Sequence, residues 1–314
     1  VFELRVNNQS CSFEPQVCDG VLYESFNQGR CSKLSFGIIG QKLLGNQFAI
    51  RAGDKVGLKV NGRKMFFGVV FQRKKEHNGI ETVTAYDQLR YLKNKDTYIY
   101  SGKRASDVIR TIALDYKLRV GDIDQTQCII PERIEDDVAL SDIIENALDY
   151  EYERSGTRFT LIDEFGELSL KNEAQMFSGA ELNRDTIGEL SFFSSIEGRS
   201  NRIKLSRQEN NSSDREVYIA RDIDSEYRIG VLQHYMKISD ENEALVSRAN
   251  SLLAIYNKDE RSVSVKNALG DVRVRGGSGI ALNFDEFKGN ATVLQCVHKL
   301  NGEQHLMDLV LGGI

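Results

Sequence analysis

The chain has 314 residues, enough for two or three domains with cores of their own. Apolar residues make up 40% and charged residues 28%, and the net charge of -5 argues against a binder that works by neutralising phosphates, since such domains are usually basic. No apolar run approaches the ~20 residues that span a bilayer, and no charged-then-apolar leader stands at the N-terminus, so neither membrane insertion nor sequence-specific nucleic-acid binding is expected.

The first hundred residues read as β-structure. Ser32–Ile39 alternates Leu34, Phe36 and Ile38 on one face, the period of a half-buried strand. Lys55–Val60 is joined by Asn61-Gly62, a strong hairpin signal, to Met65–Phe71. A longer hairpin runs from Phe66 to Tyr86 around Asn78-Gly79. The period then changes. Ala105, Val108, Ile109, Ile112, Ala113 and Tyr116 form one apolar helix face, as do Leu140, Ile143, Ile144, Ala147 and Leu148, with Asp137 as the expected N-cap and Gly156 as the stop. Arg158–Ile162 and Glu167–Lys171 form a short hairpin around Gly166.

Strands return at Leu190–Ile196, Asn201–Ser206, Glu216–Ala220 and Val231–Ile238, with a polar loop at Gln208–Asp214. A helix carries Leu245, Val246, Ala249, Leu252, Leu253 and Tyr256 on one face, with Asp240 and Glu243 shaped like a capping box. The hairpin Ala291–Leu311 follows. The fold class expected is mainly β with an α+β middle: a β-domain over 1–100, a helical α+β unit over 101–178, and a second β-domain over 179–314 with an inserted helix at about 240–257.

The two β-domains share a sentence. Arg51-Ala-Gly53-Asp54-Lys-Val56-Gly-Leu58 recurs 224 residues on as Arg275-Gly-Gly277-Ser278-Gly-Ile280-Ala-Leu282. Each copy leads to an Asn-Gly turn, at Asn78-Gly79 and at Asn301-Gly302. One β-module used twice is the reading this supports, with Gly53, Asp54, Gly277, Ser278 and the two Asn-Gly pairs as its structural turns.

Chemistry is sparse. No GxGxxG, phosphate loop, GxSxG or HExxH occurs, and no catalytic residue or cofactor is assigned. The carboxylate pairs Asp136-Asp137 and Asp163-Glu164 fall where acids cap helices or solvate turns. Five cysteines at irregular spacing, with no CxxC, read as reduced thiols rather than a zinc site. A two-residue turn at Asn301-Gly302 would set His298 across from His305 and Cys296 across from Met307, a soft-metal set on one face. That face continues through Leu294, Leu300, Leu309 and Leu311, so the four side chains are expected to pack in a core without metal. Arg73-Lys74-Lys75 reads as a solvated strand end that discourages edge pairing, or as a contact for an acidic partner.

Several short pieces in order extend the pattern: Phe66-Phe67-Gly68, Ala85-Tyr86-Asp87, Ser195-Ile196-Glu197-Gly198 with Asn201, Gly230-Val-Leu232-Gln233, Gly270-Asp271 and His305-Leu-Met307-Asp-Leu309. With the repeat, they make the chain similar to the baseplate hub proteins of contractile phage tails and tailocins, in the XkdQ/YqbQ-like branch of a family related to late control protein D and the type VI spike. The resemblance implies two tail-tube-like β-barrels per chain and a homotrimer whose six barrels adapt a hexameric tube to a trimeric spike. It implies as partners the tail tube ring, the spike, a LysM-type tail protein and wedge proteins, at a virion or tailocin baseplate assembled in the bacterial cytoplasm. The implied role is structural, against the alternatives of a type VI spike component or a cell-wall hydrolase. An acidic ring would give DNA or tape protein a non-adhesive channel.

Overall fold

Alternation of apolar and polar side chains builds the first lobe, in a computed structural model that describes residues 2–39, 48–75, 77, 79–208, 215–238 and 244–313. Its strands are β1 (Phe2–Asn7), β2 (Ser12–Phe13), β3 (Val17–Phe26), β4 (Lys33–Ile39), β5 (Lys55–Val60), β6 (Arg63–Lys75) and β7 (Ile80–Tyr86). β4 buries Leu34, Phe36 and Ile38, and β5 buries Val56, Leu58 and Val60, so each gives one face to the core. At Asn61 and Gly62 φ is +50° and +77°, the paired positive φ of a type I′ turn, which is why that dipeptide joins β5 to β6.

The middle unit holds β8 (Lys95–Tyr100), α1 (Ala105–Asp115), β9 (Val120–Ile123), β10 (Arg133–Ala139), α2 (Leu140–Ser155), β11 (Phe159–Asp163) and β12 (Leu168–Asn172). The apolar faces of α1 and α2 meet in one core, with Ile109, Ile112, Leu140 and Ile143 fully enclosed. Gly156 ends α2 at φ +71°, as expected of a left-handed cap. Asp137 does not cap it. The N-cap is Ala139, and Asp137 stands at φ +53° where β10 bulges before running straight into the helix.

The second lobe comprises β13 (Phe177–Asn183) and β14 (Glu189–Ser195), and after an interruption β18 (Glu260–Leu269), β19 (Gly279–Asn283), β20 (Lys288–Asn301) and β21 (Gln304–Gly312). The interruption is larger than the inserted helix. β15 (Arg202–Gln208), β16 (Arg215–Arg221), α3 (Ile223–Ile229), β17 (Gln233–Lys237) and α4 (Leu245–Tyr256) make a separate three-stranded sheet under α4, with Ile203, Leu205, Ala249 and Leu252 as its core. Residues 209–214 and the expected cap at Asp240 and Glu243 lie outside the described residues, as does Asn78.

Both lobes belong to one 13-stranded sheet, whose path runs β14-β18-β21-β20-β3-β4-β7-β6-β5-β1-β2, with β19 on β20 and β13 on β19. The path is open. Among the described strands neither lobe closes into a barrel within the single chain, because β14 and the far half of β6 each have a strand on one edge only. No described helix is long and apolar enough to cross a membrane.

Candidate functional site

The two copies of the repeat fold into the same turn. In the first, the amide of Asp54 donates to the carbonyl of Arg51 (3.1 Å) and the amide of Arg51 to Asp54 Oδ2 (2.6 Å). In the second, the amide of Ser278 donates to the carbonyl of Arg275 (3.0 Å) and the amide of Arg275 to Ser278 Oγ (3.1 Å). Serine thus replaces aspartate without loss of the acceptor. Gly53 and Gly277 sit at φ +95° and +87°. Each donates its amide to a valine carbonyl at 2.8 Å, Val70 or Val293, and that valine's amide returns to Asp54 or Ser278 at 2.8 Å.

The likeness extends along the next strand. Directly after each valine the hairpin bulges, between Val70 and Gln72 in β6 and between Val293 and Gln295 in β20. The extra residues, Phe71 and Leu294, turn outward and are each 38% exposed. Leu294 therefore leaves the core face on which strict alternation places it.

Past its bulge β20 pairs with β3 of the first lobe, from Gln295 opposite Phe26 to Leu300 opposite Val21. This is the seam between lobes. The His298 ring stacks on Tyr23 across it, with centroids 5.7 Å apart and planes 8° from parallel. The second repeat turn closes the seam: Gly276 donates its amide to Ser25 Oγ at 3.0 Å, and Asn27 donates its own to the Leu294 carbonyl at 2.9 Å.

His298 and its neighbours form a hydrogen-bonded chain. His298 Nε2 lies 2.9 Å from the Val274 carbonyl, so it carries the proton, and Nδ1 accepts from His305 Nε2 at 2.8 Å. Cys296 Sγ lies 3.2 Å from His298 Nε2. Burial pushes the His298 pKa down to about 4 and drives the Cys296 thiol up, which keeps both neutral. The expected cross-strand partners differ. His298 stands opposite Met307 and Leu300 opposite His305, because the turn residues are Gly302 and Glu303 rather than Asn301 and Gly302. Only Gly302 has positive φ (+59°), the pattern of a turn with glycine first, whereas Asn301 pairs with Gln304. The shift moves partners by two, so Cys296, His298, His305 and Met307 keep a common face. No group of three or more His, Cys, Asp or Glu among the described residues could hold a metal ion.

A second buried network joins all three parts of the chain. Asp87, at the end of β7, accepts the amides of Ser32 (2.8 Å) and Leu89 (3.1 Å). Asp163, at the end of β11, accepts the amide of Gly166 (2.7 Å), and Arg275 Nη2 donates to the Asp163 carbonyl (2.9 Å). Desolvation raises both acids, Asp87 to about 7 with the Asp163 charge adding to it, and Asp163 to about 6. Beside them Thr160 Oγ1 donates to Asn27 Oδ1 and accepts the Gln28 amide at 3.2 Å. Of these residues the sequence marked Arg275 through the repeat, Asp163 as a turn acid and Asp87 in the piece Ala85-Tyr86-Asp87; nothing marked their convergence. In the basic run, Arg73 is ion-paired to Glu81 on β7, and the stretch from Phe71 to Lys75 is exposed.

Two like lobes joined strand to strand, with polar networks sealed in the joint, have the fold of phage tail proteins. A prophage MuSo2 43 kDa tail protein from Shewanella oneidensis matches 98% of this chain and 98% of its own at TM-score 0.70 and 9% identity. A tail protein from Neisseria meningitidis matches 99% and 96% at TM-score 0.72 and 13% identity. An E. coli type VI secretion component, described as structurally similar to the T4 tail proteins gp27 and gp5, matches 98% of this chain and 76% of its own at TM-score 0.57 and 8% identity. The chain itself belongs to the YqbQ-like family, whose model matches residues 21–312. It is 30% identical over 271 residues to the Bacillus subtilis protein YqbQ, and 29% identical over 269 residues to the phage-like element PBSX protein XkdQ of the same organism; each alignment covers 83% of this chain and 82% of the relative.

Proposed function

We propose that this chain is the structural hub of a contractile-tail baseplate, in a phage, a defective prophage or a tailocin. It acts as a homotrimer that seats a hexameric tail tube on a trimeric spike. The doubled unit of turn, anchoring valine and bulge carries the reading. A sixfold ring needs six like positions, and three chains with two like lobes each supply them. The lobes serve as the two tube-like modules, completed as barrels by neighbours in the ring. The tube, the spike and the LysM-type and wedge proteins are the proposed partners, met at a baseplate assembled in the host cytoplasm.

No catalytic step is proposed. Asp87 and Asp163 have the raised pKa values expected of a general acid, but both are buried among backbone amides and Arg275, where a sugar chain has no access. A second reading, a type VI spike-like component, draws on the likeness to the E. coli protein. Size-exclusion with light scattering tests the first reading. A mass of three chains of 35.5 kDa each, and a stable complex with the phage tube protein, are expected. A monomer at all concentrations, or turnover of peptidoglycan, would overturn it; assembly on a type VI tube instead would favour the second.

A further inference from the structure

Beyond its bulge β20 has strands on both edges, β21 on one and β3 on the other. The like stretch of β6, Gln72–Lys75, has β7 on one edge and no described strand on the other. The strands that fill such an edge show the converse. β3 lies between β4 and β20, whereas β14, which takes the place of β3 in the second lobe, pairs among the described strands with β18 alone. One chain thus holds a filled seam, an open strand edge and an uncommitted strand.

We propose that β14 of one chain pairs antiparallel with β6 of a second copy, in the register that β3 keeps with β20. The inference rests on the trimeric reading and gives it a subunit interface. Shared landmarks fix the register. Counting from the anchoring valines puts Arg73 in the place of Cys296 and Lys75 in the place of His298. Alignment of β4 with β18, through their pairing to β7 and β21, puts Phe192 in the place of Tyr23 and Ser194 in the place of Ser25. The new seam sets Arg73 opposite Ser194 and Lys75 opposite Phe192.

The residues suit the arrangement. Ser194 repeats Ser25, whose hydroxyl receives the amide of the repeat turn, and the amide at that place in the first copy belongs to Ala52. Phe192 and Phe193 are 46% and 55% exposed on an edge strand, an arrangement that proteins cover to avoid promiscuous pairing. Lys75 opposite Phe192 brings an ammonium to an aromatic ring, where His298 meets Tyr23 inside the chain. One difference is built in. A Cβ at Gly276 would lie 2.2 Å from the Phe26 carbonyl carbon, and Ala52 has that methyl, so the first turn stands further from its strand. Each chain accepts a strand on its first lobe and donates one from its second. Such a head-to-tail contact closes into a ring when the rotation permits, and three chains make six seams, three internal and three between chains.

Cysteine pairing tests the register in the full chain, carrying Cys18→Ser to remove an exposed thiol. Arg73→Cys with Ser194→Cys is expected to give covalent dimers and trimers on mild oxidation. Yields should exceed about tenfold those of either single variant, or of Arg73→Cys with Phe192→Cys, whose Cα atoms are too far apart to bridge. Trimers by light scattering without this cross-link would overturn the strand pairing and leave the trimer standing; a monomeric wild type would overturn both. Phe192→Asp should give folded monomers by circular dichroism and light scattering. An intact trimer in that variant would also overturn the proposal.

Discussion

Gly53 and Gly277 share a backbone conformation and differ in surroundings, so together they separate strain from crowding. Nothing lies within 4 Å of a Cβ built on Gly53, whereas one on Gly277 would meet Thr160 Cγ2 at 2.8 Å and Met176 Cε at 3.3 Å. Gly53→Ala is expected to cost about 1–2 kcal/mol, the penalty of positive φ alone. Gly277→Ala should cost roughly twice that, because overpacking at the seam adds to the strain; urea unfolding of both variants reads the difference. The titratable groups at the seam oppose one another. His298 has a depressed pKa, so its contribution is present above pH 6.5 and lost as pH falls toward 4. Asp87 and Asp163 have raised pKa values, so theirs is full below about pH 4 and lost as pH rises through 6 to 7. Two acids outweigh one histidine, so the wild type should lose stability as pH rises from 4 to 7. His298→Gln, which keeps a donor for Val274 and an acceptor for His305, should remove the opposing slope: its stability declines more steeply than the wild type's as pH rises across that window, by a few kcal/mol more at about 1.4 per pKa unit.

At the scale of elements, legibility followed locality. β4, β5, α1 and α2 were readable because alternation, the 3.6-residue period, Asn61-Gly62 and Gly156 each state a structure within a few residues. The register of the last hairpin was not, since Gly302 satisfies a turn one residue further on as well as the one expected. Leu294 was misplaced because a bulge breaks alternation without a sequence mark. The network of Asp87, Asp163 and Arg275 was illegible, as its members come from three distant segments and look individually like turn residues. The separate sheet of β15, β16 and β17 was seen as strands but not as a unit. Glu153 ties it to the middle unit: Arg248 of α4, nearly buried, donates Nη1 to the Glu153 carbonyl of α2 at 2.7 Å and pairs with the Glu153 carboxylate, which also accepts from Tyr256 at 2.8 Å. Arg248→Ala leaves that carboxylate poorly compensated and is expected to cost about 3 kcal/mol. Hydrogen exchange should then rise in α4 while the lobes keep their protection.

For the whole molecule, two roles compete for the basic run at residues 73–75. Read as a nucleic-acid contact, it would bind duplex DNA with a steep salt dependence, since each neutralised phosphate releases counterions. Read as a seam, it lies in an edge covered by β14 of the next chain, with Arg73 already paired to Glu81. The charge of the chain favours the second. At -5 per subunit the proposed trimer would carry a strong net negative charge, which opposes association with phosphate backbones and would suit the proposed channel. The wild-type protein should therefore give no shift of duplex DNA in a mobility assay between about 50 and 200 mM salt. Charge reversal at Lys75 (Lys75→Glu) should leave that result unchanged and weaken the trimer, because it removes the cation set against Phe192. DNA binding by the wild type that Lys75→Glu abolishes, with the trimer intact, would assign the run to nucleic acid and take it out of the interface.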